Sequence, residues 1–331
     1  METSRIETLP PPPNVIGALK EGFDTISNHM TAILLPLVLD LFLWLGPHLG
    51  ISSLLQSWLP NIQKIWKAFG YTAAQIQEMM KNFDKLQETN VSLNLLSALR
   101  TFPIGISSLI SGTHPVASPL GHPLIYQVNS PEGIVGWVVL LTLLGWLGGG
   151  IYFRWVASLV LPKEQSVPIG AIWQSISLSV MFMMLSFIVG MPLLLVIYIL
   201  FSLSPALGQI VLLVMGFLSM WLVVPLFFAG HGIFMRSQNV FASILSGMKM
   251  ARFTLPSSSL FVLSVLSISI GLNYLWSIPK PDSWMLLVGI LGHAFITTAL
   301  LAASFIFYRD MTTWLQTVLE KLKIIPATPK A

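Results

Sequence analysis

The chain has 331 residues, of which 54% are hydrophobic and only 9% are charged, with a formal net charge of +4. An ordinary soluble domain has about a quarter of its residues charged, so this composition excludes a soluble protein and indicates a polytopic membrane protein. The chain has no cysteine, which excludes disulfides, thiolate metal sites and cysteine nucleophiles. The basic surplus fits membrane topology better than nucleic-acid binding, since no basic stripe with interleaved aromatic residues occurs.

Six apolar runs are long enough to cross the hydrocarbon core of a bilayer, which takes about 20 residues of helix. They lie at 30–48, 134–160, 176–203, 208–235, 258–278 and 284–308. Helices are expected because an isolated strand would leave its backbone groups unpaired in lipid. The runs are continuous, whereas the strands of a transmembrane barrel alternate in hydrophobicity over about ten residues.

The six runs form three pairs, and each pair follows an amphipathic segment and closes with Ile-x-x-Arg. The units open at Asn14, Val167 and Asn239 and close at Arg154, Arg236 and Arg309. The opening segments, at 14–28, 165–175 and 238–252, predict helices along the cytoplasmic surface. The first unit is about twice as long as the others, which indicates an insertion between its two apolar runs.

The predicted fold class is therefore an all-α membrane protein with six transmembrane helices. They form three repeated units, each an interfacial helix plus a hairpin, and the first unit carries an extracytoplasmic helical insertion. The predicted domains are 1–48 with the N-terminal surface helix and first span, 49–132 with the insertion, and 133–331 with the other five spans and an amphipathic tail.

Within the insertion, apolar stripes predict helices over 51–69, 73–88 and 91–100. Many prolines and glycines predict a loop over 102–131. Trp58 and Trp66 favour an insertion that rests on the outer membrane surface, because tryptophan is enriched at the interface between membrane and water.

The basic residues of the short loops predict the orientation in the membrane. With the N-terminus inside, the internal loops hold Lys163, Lys249 and Arg252, whereas the short external loops hold only Lys280, close to Asp282. Cytoplasmic loops carry an excess of lysine and arginine. We therefore expect a multi-pass membrane protein with both termini in the cytoplasm.

Asp40 is the sharpest candidate for chemistry, because a charged side chain at the centre of a span costs about 2.5–3.5 kcal/mol on insertion scales. His293 comes near the same depth in the sixth run, so an Asp–His pair that relays protons or holds a cation is one interpretation. The other is that both side chains are hydrogen-bonded into the helix bundle and have no transport role. His231, between two glycines in the fourth run, is a further intramembrane polar candidate.

The three closing arginines, Arg154, Arg236 and Arg309, stand at equivalent positions at the cytoplasmic boundary. They are interpreted as topology anchors that reach lipid phosphates, or as a ring of cations that gathers an anionic headgroup or substrate. Gly145 and Gly149 form a small-xxx-small pair that predicts close helix packing. No nucleotide-binding or hydrolase signature occurs, so no catalytic residue, metal ligand or cofactor is predicted.

The surface helix followed by a hairpin, with the stretch Leu34-Leu-Pro-Leu-Val-Leu-Asp40, resembles a group of uncharacterised six-helix bacterial integral membrane proteins. One branch of that group is the membrane domain found fused to some glycerophosphodiester phosphodiesterases. The resemblance covers the membrane units and not the insertion. This chain has no match to the catalytic domain of that branch, so the resemblance implies the membrane fold without the enzymatic activity. It also implies that the membrane is a bacterial plasma (inner) membrane.

Two functions are compatible with these observations. The first is a non-enzymatic structural, assembly or lipid-interacting membrane factor. Its partners would be membrane lipids and, in the assembly case, a membrane protein complex, with no nucleic acid. The alternative is a small-solute or ion transporter that has Asp40 and His293 in an intramembrane path.

Overall fold

A computed structural model of the protein describes residues 11–88, 94–112, 115 and 117–324. In chain order its elements are α1 (Val15–Asn28), α2 (Leu34–Leu45), β1 (His48–Gly50), α3 (Ser52–Ala68), α4 (Ala73–Glu88), β2 (Ile125–Gln127), α5 (Pro131–Val160), α6 (Gly170–Leu185), α7 (Met191–Leu203), α8 (Pro205–Ala229), α9 (His231–Arg236), α10 (Val240–Trp276) and α11 (Leu286–Ile324). Short 3-10 turns lie at Met30–Ile33, Leu95–Leu99 and Ile110–Gly112, and a π-turn at Ser186–Gly190 joins α6 to α7.

The described helices confirm a helical chain with apolar helices of membrane length. Four are long and apolar enough to span a membrane, at Pro131–Val160, Gly170–Leu203, Val240–Trp276 and Leu286–Lys321. A fifth is counted if α1 and Met30–Leu45 form one broken span. The fourth predicted run holds two shorter apolar helices in the described residues, Pro205–Phe217 and Val223–Arg236. Six spans therefore stay a prediction.

The three opening segments differ in structure. α1 begins after Asn14, whose side chain caps the helix by accepting a hydrogen bond from the Ile16 N–H at 3.0 Å, and it ends at Asn28. α10 has a non-helical residue at Thr254 (φ −126°, ψ 22°), two residues before Pro256, because proline cannot donate to the preceding turn.

The second opening segment is not a separate surface helix, contrary to the expectation for 165–175. α6 begins at Gly170 and passes through the π-turn into α7, so that Gly170–Leu203 forms one helix of 34 residues. The chain before it is a short connection, in which the Gln165 N–H donates to the Pro162 carbonyl at 2.9 Å. The exact threefold repeat stays a prediction.

The insertion contains two of the predicted helices, α3 and α4, and the second matches its predicted bounds. The third is shorter than expected: its described part is the 3-10 turn at Leu95–Leu99, and the start of its predicted range lies outside the described residues. A parallel pair of β1 and β2 was not predicted, because three residues are too short for a pattern of alternation.

The chain divides into two compact units. Unit 1 contains Met1–Ala32, Phe153–Ile268 and Thr298–Ala331, and unit 2 contains Ile33–Tyr152 and Ser269–Thr297. This grouping is one of spatial contacts, and the predicted domain limits at 48 and 132 stay a prediction about the course of the chain.

Unit 1 has an aromatic core. Phe261 stacks on Phe307 with ring centroids 4.2 Å apart, and Phe228 packs beside both. α1 packs closely on α11, since a Cβ on Gly22 would lie 2.6 Å from the Ala303 Cβ. Small residues at this contact let the two helix backbones approach.

Unit 2 has an apolar core at the end of α2 and the start of α11. Its buried members are Leu39, Leu43, Trp44, Leu109, Ile110, Leu286 and Ile290. The Trp44 indole N–H donates to the Pro281 carbonyl at 2.8 Å. A smaller cluster of Leu49, Val128 and Leu141 lies beside the strand pair. Two members of the first cluster, Leu109 and Ile110, come from the range predicted to be a loop.

Candidate functional site

The carboxylate of Asp40 is fully buried and binds a turn of the insertion. Its Oδ1 accepts hydrogen bonds from the Ser108 hydroxyl at 2.5 Å and from the Ile110 N–H at 3.1 Å. Its Oδ2 accepts from the Leu109 N–H at 3.0 Å. A buried carboxylate that lacks such donors is strongly destabilising. Three donors from one turn therefore explain how Asp40 is accommodated in an apolar helix.

The same turn is braced by its own side chains. The Ser111 N–H donates to the Ser108 hydroxyl at 3.0 Å, and Arg100 Nη1 donates to the Ser111 hydroxyl at 3.3 Å. Earlier in the chain, Asn94 Oδ1 accepts from the N–H groups of Leu49 and Leu96 at 3.0 and 3.1 Å. Residues 94–112, which we call the 94–112 segment, are thus tied to α2 and β1 by polar contacts.

The 94–112 segment also packs tightly against α5. A Cβ on Gly145 would lie 2.5 Å from the Leu99 carbonyl oxygen, and one on Gly149 would lie 2.6 Å from the Gly105 Cα. Gly145 and Gly149 therefore do mediate a close approach, as expected of a small-xxx-small pair. The expectation of helix packing is corrected, because the partner is irregular backbone of the insertion.

His293 has a different partner from the one expected. Its Nδ1 lies 2.7 Å from Asn273 Oδ1, which is an acceptor, so Nδ1 carries the proton in this arrangement. The side chain is 2% exposed, and its Nε2 has no hydrogen-bond partner among the described residues. Asp40 and His293 do not share a hydrogen bond in the structure. The sequence placed them at a similar depth, but a similar depth does not specify which partners the two side chains bind.

The 94–112 segment also contacts α11, one turn beyond His293. The Ser107 and Thr297 hydroxyl oxygens lie 2.8 Å apart, and Thr297 donates to the His293 carbonyl at 2.8 Å. Because the single proton of Thr297 is used in that bond, Ser107 is the donor to Thr297. The segment is therefore anchored on α2, α5 and α11 within unit 2.

His231 is buried in unit 1 and lies among aromatic rings. Its Nε2 is 2.7 Å from the Ser304 hydroxyl, and its ring centroid is 4.7 Å from that of Phe305. This placement fits the interpretation of a histidine hydrogen-bonded into a helix bundle.

The three closing arginines have different surroundings. Arg309 donates to Glu21 at 3.0 Å, to Asp310 at 2.7 Å and to the Val160 carbonyl at 3.1 Å. Two carboxylates therefore compensate its charge. Arg154 donates from Nε to the Val167 carbonyl at 2.9 Å and is half-buried, whereas Arg236 is exposed. The interpretations of the three residues as topology anchors or as a ring of cations stay predictions.

Sequence reasoning missed Arg100, Ser108 and Asn94. A signal for Arg100 was present: no other lysine or arginine occurs between Lys85 and Arg154, and it begins a stretch rich in serine and apolar residues. Ser108 and Asn94 had no comparable signal, because a short polar residue in a loop is ordinary.

Comparisons with known proteins add no relative to this picture. No family, curated protein or solved structure matches the chain. Among the described residues, no group of three or more His, Cys, Asp or Glu side chains is placed to hold a metal ion. The resemblance to the six-helix bacterial membrane proteins therefore rests on the sequence alone.

Proposed function

We propose that the protein is a multi-pass protein of a bacterial plasma membrane, with both termini cytoplasmic, that acts as a non-enzymatic structural, assembly or lipid-interacting factor. The observation that carries the proposal is the environment of Asp40. A carboxylate in a transport path must exchange its partners with solute or water, whereas both oxygens of Asp40 accept hydrogen bonds from the protein's own turn.

The apolar surface supports the same proposal. In the most apolar window of Gly170–Leu203, only 6% of the residues are buried within the chain, against 56% for the corresponding window of Leu286–Lys321. A helix with so few intramolecular contacts presents its side chains to lipid or to other membrane proteins. Lipid contact and membership of an assembly are both served by this surface.

Native mass spectrometry of the protein, extracted gently from its own membrane, tests the proposal. A stoichiometric protein partner supports the assembly role, and co-purifying phospholipid without a protein partner supports the lipid-interacting role. A bare protein that moves a solute across liposomes contradicts both.

The transporter alternative has one observation in its favour. Arg100 lies within electrostatic range of both Asp40 and His293, so the three ionisable groups share one region of unit 2. If they form a transport path, Asp40→Asn should abolish solute uptake in liposomes while Asp282→Asn, outside the predicted spans, leaves it unchanged. The structural role of Asp40 predicts instead that loss of stability accompanies the substitution.

A further inference from the structure

The 94–112 segment contacts three predicted spans of unit 2 near the middle of each. The contacts pair Ser108 with Asp40, Gly105 with Gly149 and Ser107 with Thr297. The contacts with all three helices thus place the 94–112 segment at the same depth. That depth is the hydrocarbon core if the helices cross a membrane. Irregular backbone is found at that depth only where protein buries it or where it lines a water-filled cavity.

Arg100 lies in the part of this segment that packs on α5. Its neighbour Leu99 has its carbonyl oxygen against Gly145, and Gly145 lies near the middle of the second predicted run. The Arg100 side chain is exposed from the protein. An unpaired arginine charge at the bilayer centre is costly, so the charge requires water or an anion beside it.

The described residues supply few hydrogen-bond acceptors to the guanidinium of Arg100. Arginine has five N–H donors, and among the described residues this one makes a single hydrogen bond, to Ser111 at 3.3 Å. Asp40 is within electrostatic range of Arg100, but the ion pairs found within 4 Å in the described part of the chain belong to Arg309. The Asp40 oxygens accept hydrogen bonds from the turn at 108–110 and none from Arg100, so most N–H donors of Arg100 have no acceptor among the described residues.

His293 adds a second unmet polar atom in the same region. Its Nε2 is buried and has no partner among the described residues, and with Nδ1 facing Asn273 it is a hydrogen-bond acceptor. Arg100 is within electrostatic range of this ring. The geometric link between the segment and this ring is the contact of Ser107 with Thr297, one turn beyond His293. Because His293 is only 2% exposed, the group open to a ligand is the guanidinium of Arg100, and an anionic oxygen matches its N–H donors.

We propose that the 94–112 segment is re-entrant and that Arg100 in it binds an oxyanion of the phosphate class. The planar guanidinium matches two oxygens of a phosphate, and charge-assisted bonds of this kind are about twice as strong as neutral ones. The phosphate can come from the headgroup of an anionic lipid or from free phosphate in water. This inference rests on one part of the proposed function, which is that the helices are inserted in a membrane.

The binding experiment measures the thermal unfolding midpoint of the full-length protein with two probes. Inorganic phosphate is titrated in detergent at constant ionic strength against chloride. In a parallel series, the protein is placed in phosphatidylcholine vesicles with and without phosphatidylglycerol. The variants are Arg100→Gln and Arg100→Lys, and Arg252→Gln is the matched control because Arg252 is an exposed arginine elsewhere in the chain.

We expect one of the two probes to raise the midpoint of the wild type and of Arg252→Gln but not of Arg100→Gln. Arg100→Lys, which keeps the charge and loses the planar fork, should weaken the apparent affinity about tenfold. Stabilisation by inorganic phosphate identifies a free anion, and stabilisation by phosphatidylglycerol alone identifies a lipid headgroup. The proposal is overturned if neither probe raises the unfolding midpoint of the wild type. It is also overturned if Arg100→Lys responds like the wild type while Arg100→Gln either responds as well or does not fold.

The depth of the segment is tested separately, and the cysteine-free sequence makes the test simple. A fluorophore is attached to a single cysteine at Phe102, which is 77% exposed, or at Leu213 on α8, which is 75% exposed. Brominated phospholipids should quench both probes. Quenching at Leu213 without quenching at Phe102 contradicts the re-entrant segment alone, whereas no quenching at Leu213 contradicts the membrane insertion on which the proposed function depends.

Discussion

Asp40 illustrates how a single charged residue in an apolar helix can have a structural purpose. The two N–H groups of Leu109 and Ile110 and the Ser108 hydroxyl all converge on its carboxylate. These backbone groups lie in a turn that has no regular ladder to satisfy them, and unpaired buried N–H groups are destabilising. The carboxylate therefore replaces a strand or helix as the acceptor for this turn.

For this single residue we predict that Asp40→Asn lowers the free energy of unfolding by about 1–3 kcal/mol. The amide keeps one oxygen but turns an N–H₂ group toward an N–H donor of the turn. The unfolding midpoint in detergent measures the loss. Asp282→Asn is the control, because Asp282 is exposed and outside the predicted spans.

Ser108→Ala tests the same contact from its other side. We expect a smaller loss than for Asp40→Asn, about 0.5–1.5 kcal/mol, because both backbone donors to Asp40 remain. The double variant should be less destabilised than the sum of the single ones, since the two residues are in direct contact. Strict additivity in this cycle would contradict the hydrogen bond.

Between elements, glycine determines which surfaces approach. In α5, Gly149 faces the backbone of Gly105, and backbone cannot move aside as a flexible side chain can. We predict that Gly149→Ala destabilises the protein by about 1–3 kcal/mol through overpacking. Gly136→Ala in the same helix is the control, because nothing lies within 4 Å of its added Cβ. A Gly149→Ala protein as stable as Gly136→Ala would show that the 94–112 segment does not lie against α5.

The contact between α1 and α11 in unit 1 gives a second test at the element scale. A Cβ on Gly22 would meet the Ala303 Cβ at 2.6 Å and the Ala299 carbonyl oxygen at 2.7 Å, whereas one on Gly17 would meet only the Asn14 Cβ at 3.7 Å. Gly22→Ala should therefore lower the unfolding midpoint in detergent. Gly17→Ala should leave it unchanged or raise it, because alanine favours the helix. Equal effects of the two substitutions would exclude the close packing.

For the whole molecule, the predicted topology assigns each exposed loop to one side of the membrane. Single cysteines at Lys280 and Asn61 should react with a membrane-impermeant thiol reagent in intact cells, if both lie outside. Single cysteines at Lys163 and Lys249 should react only after permeabilisation, because cytoplasmic loops carry the basic residues. All four positions are exposed, so a missing reaction reports the membrane and not burial. Labelling of Lys163 in intact cells would contradict the cytoplasmic side predicted for that loop, and labelling of both Lys163 and Asn61 would contradict a span between them.

The sequence by itself determined the class of protein, because hydrophobic runs of membrane length allow few structures other than helices. It also predicted α3 and α4, and it identified Asp40 and the glycines of α5 as unusual, since these depend on composition and spacing along one element. The tertiary structure decided what those residues touch. The turn at 108–110, the irregular backbone against Gly149 and the different hydrogen-bond partners of Asp40 and His293 depend on contacts between residues far apart in the chain. Such contacts leave no periodic pattern, and depth within a helix does not specify the direction in which a side chain faces.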